Sequence, residues 1–268
     1  MIISKFEKHF LAMRLLLVLV FLVFLSSLGY GQSAFKDGEW LDFKIKYGWF
    51  NTSKAQLEVE KTELNNQDVF HVTGNGKSVG LLDVFFKVRD RYETYISTES
   101  GLPLRFIRDI SEGGYVKNKI LHFDHTTGQV EVEDLKHNTK NTFGTKPNTQ
   151  DMLSAFYKLR NTIDVENLEI GQEFNINMFF DDENYDFKTK FLGYETLDTK
   201  YGKVACLKFR PYVMADRVFK ESESLTFWVT ADQNKIPVKI EAKLVVGALV
   251  AELNNFKGLK HPMKIVVD

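Results

Sequence analysis

The stretch "WLDFKIKYGWF", residues 40–50, sets the pattern that the rest of the sequence follows. Its apolar and polar residues alternate with a period of two, which places the two sets on opposite faces of an extended chain. Such a segment is typical of a β-strand with one buried face and one face in water. The buried face would carry Leu41, Phe43, Ile45, Tyr47 and Trp49, and the wet face Asp42, Lys44 and Lys46.

The same alternation recurs along most of the chain at short intervals. Runs such as "KAQLEVEKT", "VFHVTG", "RDRYETYIS" and "GKVACLKFRPYV" are separated by turn-forming stretches such as "ELNNQD", "DHTTGQ" and "ADQNK". Short strands joined by tight turns usually pair with their neighbours along the chain. The sequence therefore predicts a mainly β fold built from consecutive antiparallel strands.

One segment, "TQDMLSAFYKLRN" at residues 149–161, has helical rather than strand periodicity. Asn148 or Thr149 could cap its first turn, while Asp151 and Arg160 suit the two ends of the helix dipole. We expect this helix to bury its apolar stripe against the sheet. The stripe consists of Met152, Ala155, Phe156 and Leu159, widened by Leu153 and Tyr157.

A second departure from alternation is "VGLLDVFFKV", residues 79–88. Its apolar spacing predicts a short helix, although alternation of Val84, Phe86 and Val88 leaves a strand open. The most polar connector is residues 136–150, just before the longer helix. We interpret it as a division within one sheet rather than a linker between domains.

The N-terminus has the layout of a secretory signal peptide. Basic residues precede the apolar run 15–28, and Gly29 and Gly31 supply small residues before Gln32. The run is shorter than the roughly 20 residues that a spanning helix needs. The sequence predicts a signal peptide over 1–31, cleaved near Gly31–Gln32, and a single β-rich periplasmic domain over 32–268 that does not span the membrane.

Charge and cysteine content narrow the possible partners. The chain has a formal net charge of −1, which creates no strong field for nucleic acid or anionic lipid. Cys206 is the only cysteine, so no intrachain disulfide can form. Its apolar neighbours and the lack of a nearby histidine predict a buried structural thiol rather than a nucleophile.

These motifs, taken in order, resemble an uncharacterised family of exported bacterial proteins, domain of unknown function 3108. The resemblance rests on the opening aromatic strand, "VRDRYETYIS", "GLPLRFIRDISEGGY", "LHFDHTTG", "DMLSAFYKLR" and "FWVTADQNKIPVKIEAKLVVGALVAEL". It implies an antiparallel envelope protein and assigns no activity. In architecture, though not in sequence, the chain also resembles the periplasmic lipoprotein-carrier fold. That resemblance implies a large antiparallel sheet curved into an incomplete barrel, with one or two short helices packed against it.

The sequence contains only incomplete motifs for nucleotide binding and for metal binding. "GNGKS" at residues 74–78 has His71 where a phosphate loop needs glycine, so we interpret it as a turn and predict no nucleotide. "HFDH" (122–125) and the acidic "DDEN" (181–184) lack metal-ligand spacing, and we interpret both as surface turns. We therefore predict no metal, no cofactor and no catalytic residue.

Two groups of residues remain as candidates for function. Four arginines on neighbouring strands could grip an anionic group, because guanidinium matches carboxylate and phosphate, although pairing with strand acids would also explain them. Tyr157 and Arg160 share one edge of the helix. The candidate ligand-binding residues are Arg89, Arg91, Arg105, Arg108, Tyr157 and Arg160.

The sequence favours a non-catalytic binding or scaffold module of a Gram-negative envelope. Its ligand would be a lipid, another apolar or amphipathic molecule, or a partner protein, since an aromatic-rich curved sheet can enclose a cavity. The alternative is a hydrolase that cleaves glycan or peptide with strand-borne carboxylates. The carboxylates available for that reaction are Asp90, Glu93, Asp109 and Glu112.

Overall fold

The computed structural model describes residues 33–212 and 225–266. In these residues the chain forms a single sheet of 14 antiparallel strands and two helices. The predicted signal peptide and its cleavage point lie outside the described residues. No helix in the described ranges is long and apolar enough to cross a membrane.

The first half of the chain supplies eight strands and a short helix. They are β1 (Trp40–Tyr47), β2 (Phe50–Leu64), β3 (Gln67–Ser78), α1 (Gly80–Phe85), β4 (Val88–Ser97), β5 (Pro103–Glu112), β6 (Tyr115–Asp124), β7 (Gln129–Asp134) and β8 (Thr139–Gly144).

The second half supplies the longer helix and six strands. They are α2 (Met152–Thr162), β9 (Glu173–Phe180), β10 (Glu183–Thr199), β11 (Gly202–Tyr212), β12 (Leu225–Thr230), β13 (Pro237–Lys243) and β14 (Ala248–Lys257).

Each half of the sheet is a meander, and the pairing of β1 with β14 joins the two halves. Strands β8 and β9 are the edges, so the sheet is not closed. The connector between β8 and α2 lies along β9, where the Gln150 amide donates to the Asn177 carbonyl at 2.8 Å. The predicted mainly β fold, an incomplete barrel with short helices, is confirmed.

Helix α2 lies between two apolar cores and fills the space inside the curved sheet. Leu153 and Tyr157 pack with the strands of the first half, whereas Ala155 and Leu159 pack with β9–β12. The predicted stripe is therefore right for Ala155 and Leu159, but Phe156 is only half-buried. Because sheet surrounds the helix on two sides, burial is wider than a single stripe.

The N-cap of α2 is Asp151, not Asn148 or Thr149 as the sequence suggested. Its carboxylate accepts hydrogen bonds from the amides of Leu153 and Ser154, and the Ser154 hydroxyl accepts one from the Asp151 amide. This reciprocal arrangement is a capping box, which satisfies amides that the first helical turn leaves free.

The opening strand follows the predicted alternation only in part. Leu41 and Phe43 enter an apolar core with Ile236 and Leu253. A register shift relative to β14 falls between Asp42 and Phe43, and Asp42 is buried as well. Strand β1 ends at Tyr47, so Trp49 lies in the turn, where it is 97% exposed. The prediction that Trp49 faces the core is wrong.

The "GNGKS" stretch is part of β3 rather than a turn. A Cβ on Gly74 would lie 3.3 Å from Leu57 and 3.6 Å from Leu153, so the missing side chain lets α2 approach the sheet. The helix expected in 79–88 is present as α1, but none of its residues is buried. Cys206 is fully buried, as predicted, and burial raises the pKa of its thiol to about 12.

Candidate functional site

The structure places the six candidate residues in three separate environments. Arg89, Arg91 and Arg105 alternate with inward-facing neighbours and lie on the outer face of the sheet. Arg89 pairs with Asp83 of α1 at 2.7 Å, and Arg91 pairs with Glu93 at 2.6 Å. Arg105 lies over the ring of Tyr95, 5.7 Å from its centre. These three arginines do not form one anion-binding group.

Tyr157 and Arg160 lie inside the core. Arg160 is 1% exposed and donates two hydrogen bonds to the carboxylate of Glu39, at 2.6 and 2.8 Å. It also donates to the carbonyls of Asn234 and Ala34. Burial, followed by the negative charge of Glu39, raises the pKa of Tyr157. These contacts give Arg160 a structural role. A ligand contact for Arg160 or Tyr157 stays a prediction.

Arg108 is the candidate that faces the interior near the end of the barrel. Its register partner on β6 is Lys119, and Lys117 lies two residues away on the same strand face. The three cations are well shielded, with side-chain exposures of 13%, 18% and 12% for Arg108, Lys117 and Lys119. We call these three residues the mouth cluster. It combines one of the predicted arginines with two lysines that the sequence did not single out.

The mouth cluster forms ion pairs with the turn between β9 and β10. Asp181 accepts from Arg108 at 2.6 Å and also from Lys117, while Asp182 accepts from Lys119 at 2.6 Å. Burial alone would raise the pKa of Asp181, but Lys117 and Arg108 hold it below its ordinary value. Residues 181 and 182 form a turn, as predicted, but its carboxylates are not simply solvated, because they pair with cations of β5 and β6.

Aromatic rings surround the mouth cluster. The guanidinium of Arg108 lies 4.7 Å from the centre of the Phe180 ring, and Tyr92 stacks on Phe106 at 6.3 Å. A small cavity of about 10 Å³, roughly the space of one water, is lined by Arg108 and Lys119 together with Phe106 and Phe180. The arrangement offers positive charge beside apolar surface at the entrance to the barrel.

The carboxylates proposed for hydrolysis divide between the two faces of the sheet. Glu93 lies on the outer face and is bound to His71 at 2.7 Å, and Asp109 is exposed there. Asp90 and Glu112 lie on the inner face of adjacent strands. Burial raises the pKa of Asp90 to about 6, with a further rise from its hydrogen bond to Glu112. Hydrogen-bonded carboxyls are closer than the roughly 5 to 10 Å that glycoside cleavage uses.

The larger clefts lie outside the interior. One of about 820 Å³ is lined by the loops that include Asn65, Ser100 and Thr126, and another of about 570 Å³ by residues such as Lys44, Tyr201 and Met263. Within the described residues, no group of three histidine, cysteine or acidic side chains could hold a metal ion.

The fold and its mouth define a class of protein, a helix-plugged incomplete β-barrel. The chain belongs to the family of proteins of unknown function DUF3108, whose model matches residues 42–254. The family expected from the sequence is thus confirmed. No curated protein matches this sequence.

Solved structures share the architecture at low identity. A β-barrel-like protein of domain of unknown function DUF1849 from Brucella abortus is 8% identical with a TM-score of 0.53, over 84% of this chain and 99% of that chain. A candidate exported protein with a YmcC-like fold from Bacteroides fragilis is 10% identical, TM-score 0.33, over 83% and 97% of the two chains. A candidate lipoprotein from Parabacteroides distasonis is 15% identical, TM-score 0.30, over 84% and 98%. The Brucella likeness supports the fold and nothing finer.

Proposed function

We propose that this protein is an exported, non-catalytic module of the cell envelope that binds an anionic amphiphile at the mouth of its barrel. The observation that carries the proposal is the mouth cluster: three shielded cations beside aromatic rings, on the inner face of two adjacent strands. An anionic head group would bind the cations, and an apolar tail would lie along the rings.

The chemistry of the cluster fits a carboxylate or phosphate head group. Arg108 presents a planar fork of donors that matches such groups, while Lys117 and Lys119 add point charges. In the unliganded protein, Asp181 and Asp182 occupy the position that this head group would take. Binding would therefore displace the turn between β9 and β10 from the cations.

Catalysis is less well supported by the same residues. Nearby Asp90 and Glu112 share a hydrogen bond, which leaves no room for a substrate between them. The other carboxylates proposed for hydrolysis lie on the outer face, where Asp109 lines a cleft of about 330 Å³ with two arginines, Arg89 and Arg91. Three of the predicted arginines form ion pairs away from the mouth cluster: Arg89, Arg91 and Arg160. We therefore centre the binding proposal on Arg108. A partner protein at this mouth is the competing ligand, and it would not require an apolar tail.

The proposal is tested with the fluorescent anionic amphiphile dansyl-undecanoic acid and its uncharged methyl ester. Replacing Arg108 with Met is expected to weaken binding of the acid about tenfold, since a charge-assisted hydrogen bond is worth roughly 1.5 to 3 kcal/mol. Asp181→Asn is expected to tighten it, because a competing carboxylate is removed. Titration of probe fluorescence at constant ionic strength measures both.

Arg105→Met is the matched control, because Arg105 lies on β5 but on the outer face. It should leave binding of the acid unchanged, and the ester should be insensitive to all three substitutions. If Arg108→Met and Arg105→Met weaken binding equally, or if Asp181→Asn weakens it, the mouth is not the binding site.

Export is the second part of the proposal and has its own test. The intact mass of the protein from a periplasmic extract should correspond to a chain that begins at or near Gln32. Substituting Leu19→Arg should block processing, because a charge interrupts the apolar run that the export machinery recognises. Recovery of the full-length chain in the membrane fraction would instead indicate an uncleaved anchor.

A further inference from the structure

Alternate loops of an antiparallel meander lie at the same end of the sheet. Besides the β9–β10 turn that contacts the mouth cluster, one end has five described connections, namely the β1–β2 turn, the α1 connection, the β5–β6 turn, the β7–β8 turn and the β13–β14 turn. We call these five connections the hairpin rim. They come from both halves of the chain, and β1 brings the two halves together.

The hairpin rim carries most of the large apolar side chains that the described residues expose. Trp49 is 97% exposed, Phe85 78% and Val245 76%. Exposed apolar residues away from the rim are fewer: Ile170, Tyr194, Tyr212, Ile265 and Val266. The rim residues are Tyr47, Trp49, Phe50, Leu81, Val84, Phe85, Phe86, Tyr115, Val116, Leu135, Leu244, Val245, Val246 and Leu249.

Direct contacts make the rim continuous on the β13–β14 side. The Tyr47 hydroxyl donates to the carbonyl of Val246 at 2.9 Å, which ties the β1–β2 turn to the β13–β14 turn. The Val79 amide donates to the carbonyl of Thr52 at 2.8 Å, which ties α1 to β2. These bonds hold the tips side by side rather than as independent loops.

The rim continues on the other side of α1. The Gly113 amide donates to the carbonyl of Lys87 at 2.9 Å, and the ring of Phe86 fills the space that a side chain on Gly113 would occupy. The Lys136 ammonium donates to the carbonyl of Val116 at 3.1 Å. A contiguous apolar surface of this kind marks an interaction site, unlike single exposed residues.

The opposite end of the sheet is more polar, although Ile170, Ile265 and Val266 are exposed there. Four of its loops consist of turn residues with short or charged side chains, which suit contact with water. The two ends of the sheet therefore differ in the polarity of their exposed side chains. An apolar surface would meet the barrel at the hairpin rim. The loops of the polar end include "NN" (65–66), "TESG" (98–101), "HTTG" (125–128) and "DQNK" (232–235).

Charge on the rim favours an anionic surface. Lys87 and Lys243 are exposed next to its apolar tips, and neither has an ion pair among the described residues. The acid within α1, Asp83, is already neutralised by Arg89 at 2.7 Å. The carboxylates of the β9–β10 turn are engaged by the mouth cluster. Among the described residues of the hairpin rim, the charge that no ion pair compensates is thus positive.

We propose that the hairpin rim docks on a phospholipid membrane, with its apolar tips in the headgroup region and Lys87 and Lys243 at the lipid phosphates. Tryptophan, tyrosine and lysine are residues that anchor proteins at this interface. The apolar side chains lie on several neighbouring turn tips, which suits a deformable lipid surface. This proposal goes beyond amphiphile binding and does not depend on it.

The test uses the mature chain, residues 32–268, and vesicles of phosphatidylcholine with or without phosphatidylglycerol. We expect the protein to sediment with vesicles, more strongly when phosphatidylglycerol is present. The double variant Trp49→Ser/Phe85→Ser should weaken binding at least about tenfold. Lys87→Glu/Lys243→Glu should remove the preference for phosphatidylglycerol.

Tryptophan fluorescence gives a second measurement. Vesicles should shift the emission of the parent protein to the blue, and Trp49→Phe should abolish that shift.

Ile170→Ser is the matched control, since Ile170 is 75% exposed but belongs to the connection before β9. It should bind vesicles like the parent protein. The docking proposal is overturned if the parent protein does not bind vesicles, if Ile170→Ser weakens binding as much as the rim variant, or if the rim variant only converts a dimer to a monomer in sedimentation velocity. Arg108→Met should keep vesicle binding, so failure of the amphiphile proposal would be distinguishable.

Discussion

Replacing Arg160 with Met is expected to lower the free energy of unfolding by about 3 to 5 kcal/mol, because Glu39 would be left as an uncompensated buried charge. Glu39 is 0% exposed, and both of its carboxylate oxygens accept from Arg160. Small domains have about 5 to 15 kcal/mol of net stability, so the loss would consume a large part of it. Urea denaturation followed by circular dichroism measures the effect.

Two further variants test whether the loss of stability in Arg160→Met comes from the buried ion pair. Glu39→Gln/Arg160→Met should be more stable than Arg160→Met alone, because the unpaired charge is gone. Arg89→Met removes the surface pair with Asp83 and should cost far less than Arg160→Met, because solvent screens an exposed pair. Equal costs for Arg160→Met and Arg89→Met would contradict the buried-pair interpretation. Amphiphile binding per folded molecule should be unchanged in Arg160→Met if the residue is structural.

The partner of Arg160 also shows where sequence reasoning reached its limit. The pattern placed Arg160 at the end of a helix, where the dipole alone explains a cation. Its real partner, Glu39, is 121 residues away and comes from the segment just before β1. Nothing in the local sequence links the two positions, because their contact requires the sheet to curve around α2.

The strands could be predicted because the signals that define each strand lie close together in the sequence. A period of two and a turn signal define each hairpin, and most strands pair with the next strand along the chain. The pairing of β1 with β14 joins the two ends of the chain and has no local signal. The contact between Asp181 and Arg108 was missed for the same reason, since it spans 73 residues.

The burial of apolar residues in the hairpin rim was predicted wrongly for a different reason. Alternation runs unbroken from Leu41 through Trp49, so Trp49 looked like a core residue. Gly48 adopts a φ of 56°, a conformation that favours glycine, and this ends the strand before Trp49. The apolar face of α1 matched a buried helix equally well. Periodicity reports which residues share a face, and only the tertiary structure decides whether that face is covered.

Loss of the Asp151 proton should make the protein less stable as the pH rises from about 4 to about 6. Its side chain is completely buried, and it accepts hydrogen bonds from Thr94 at 2.6 Å and from two amides of α2 at 2.8 and 2.9 Å. Burial raises the pKa of Asp151 to about 6, although these hydrogen bonds oppose the rise. No described cation forms an ion pair with it.

The sign follows from proton binding. Between the ordinary pKa of 3.8 and the folded value of about 6, the folded protein holds more protons at Asp151 than the unfolded chain. Stability then falls as the pH increases through this window. One unit of difference in pKa corresponds to about 1.4 kcal/mol, so the full difference amounts to about 3 kcal/mol. Below the window both states are protonated, and above it both are ionised.

Asp151→Asn provides the decisive comparison, because the amide oxygen can still cap α2 and the charge is absent. We expect the variant to lose this fall in stability while retaining the helix cap, whereas Asp151→Ala should be destabilised at every pH by about 1 to 2 kcal/mol. Asp90 titrates in the same range, so both variants are best made in an Asp90→Asn background. Free energies of unfolding in urea at several pH values would measure the slope. An unchanged slope in Asp151→Asn would mean that Asp151 stays ionised at the helix N-terminus, where the dipole and two amide donors would have outweighed burial.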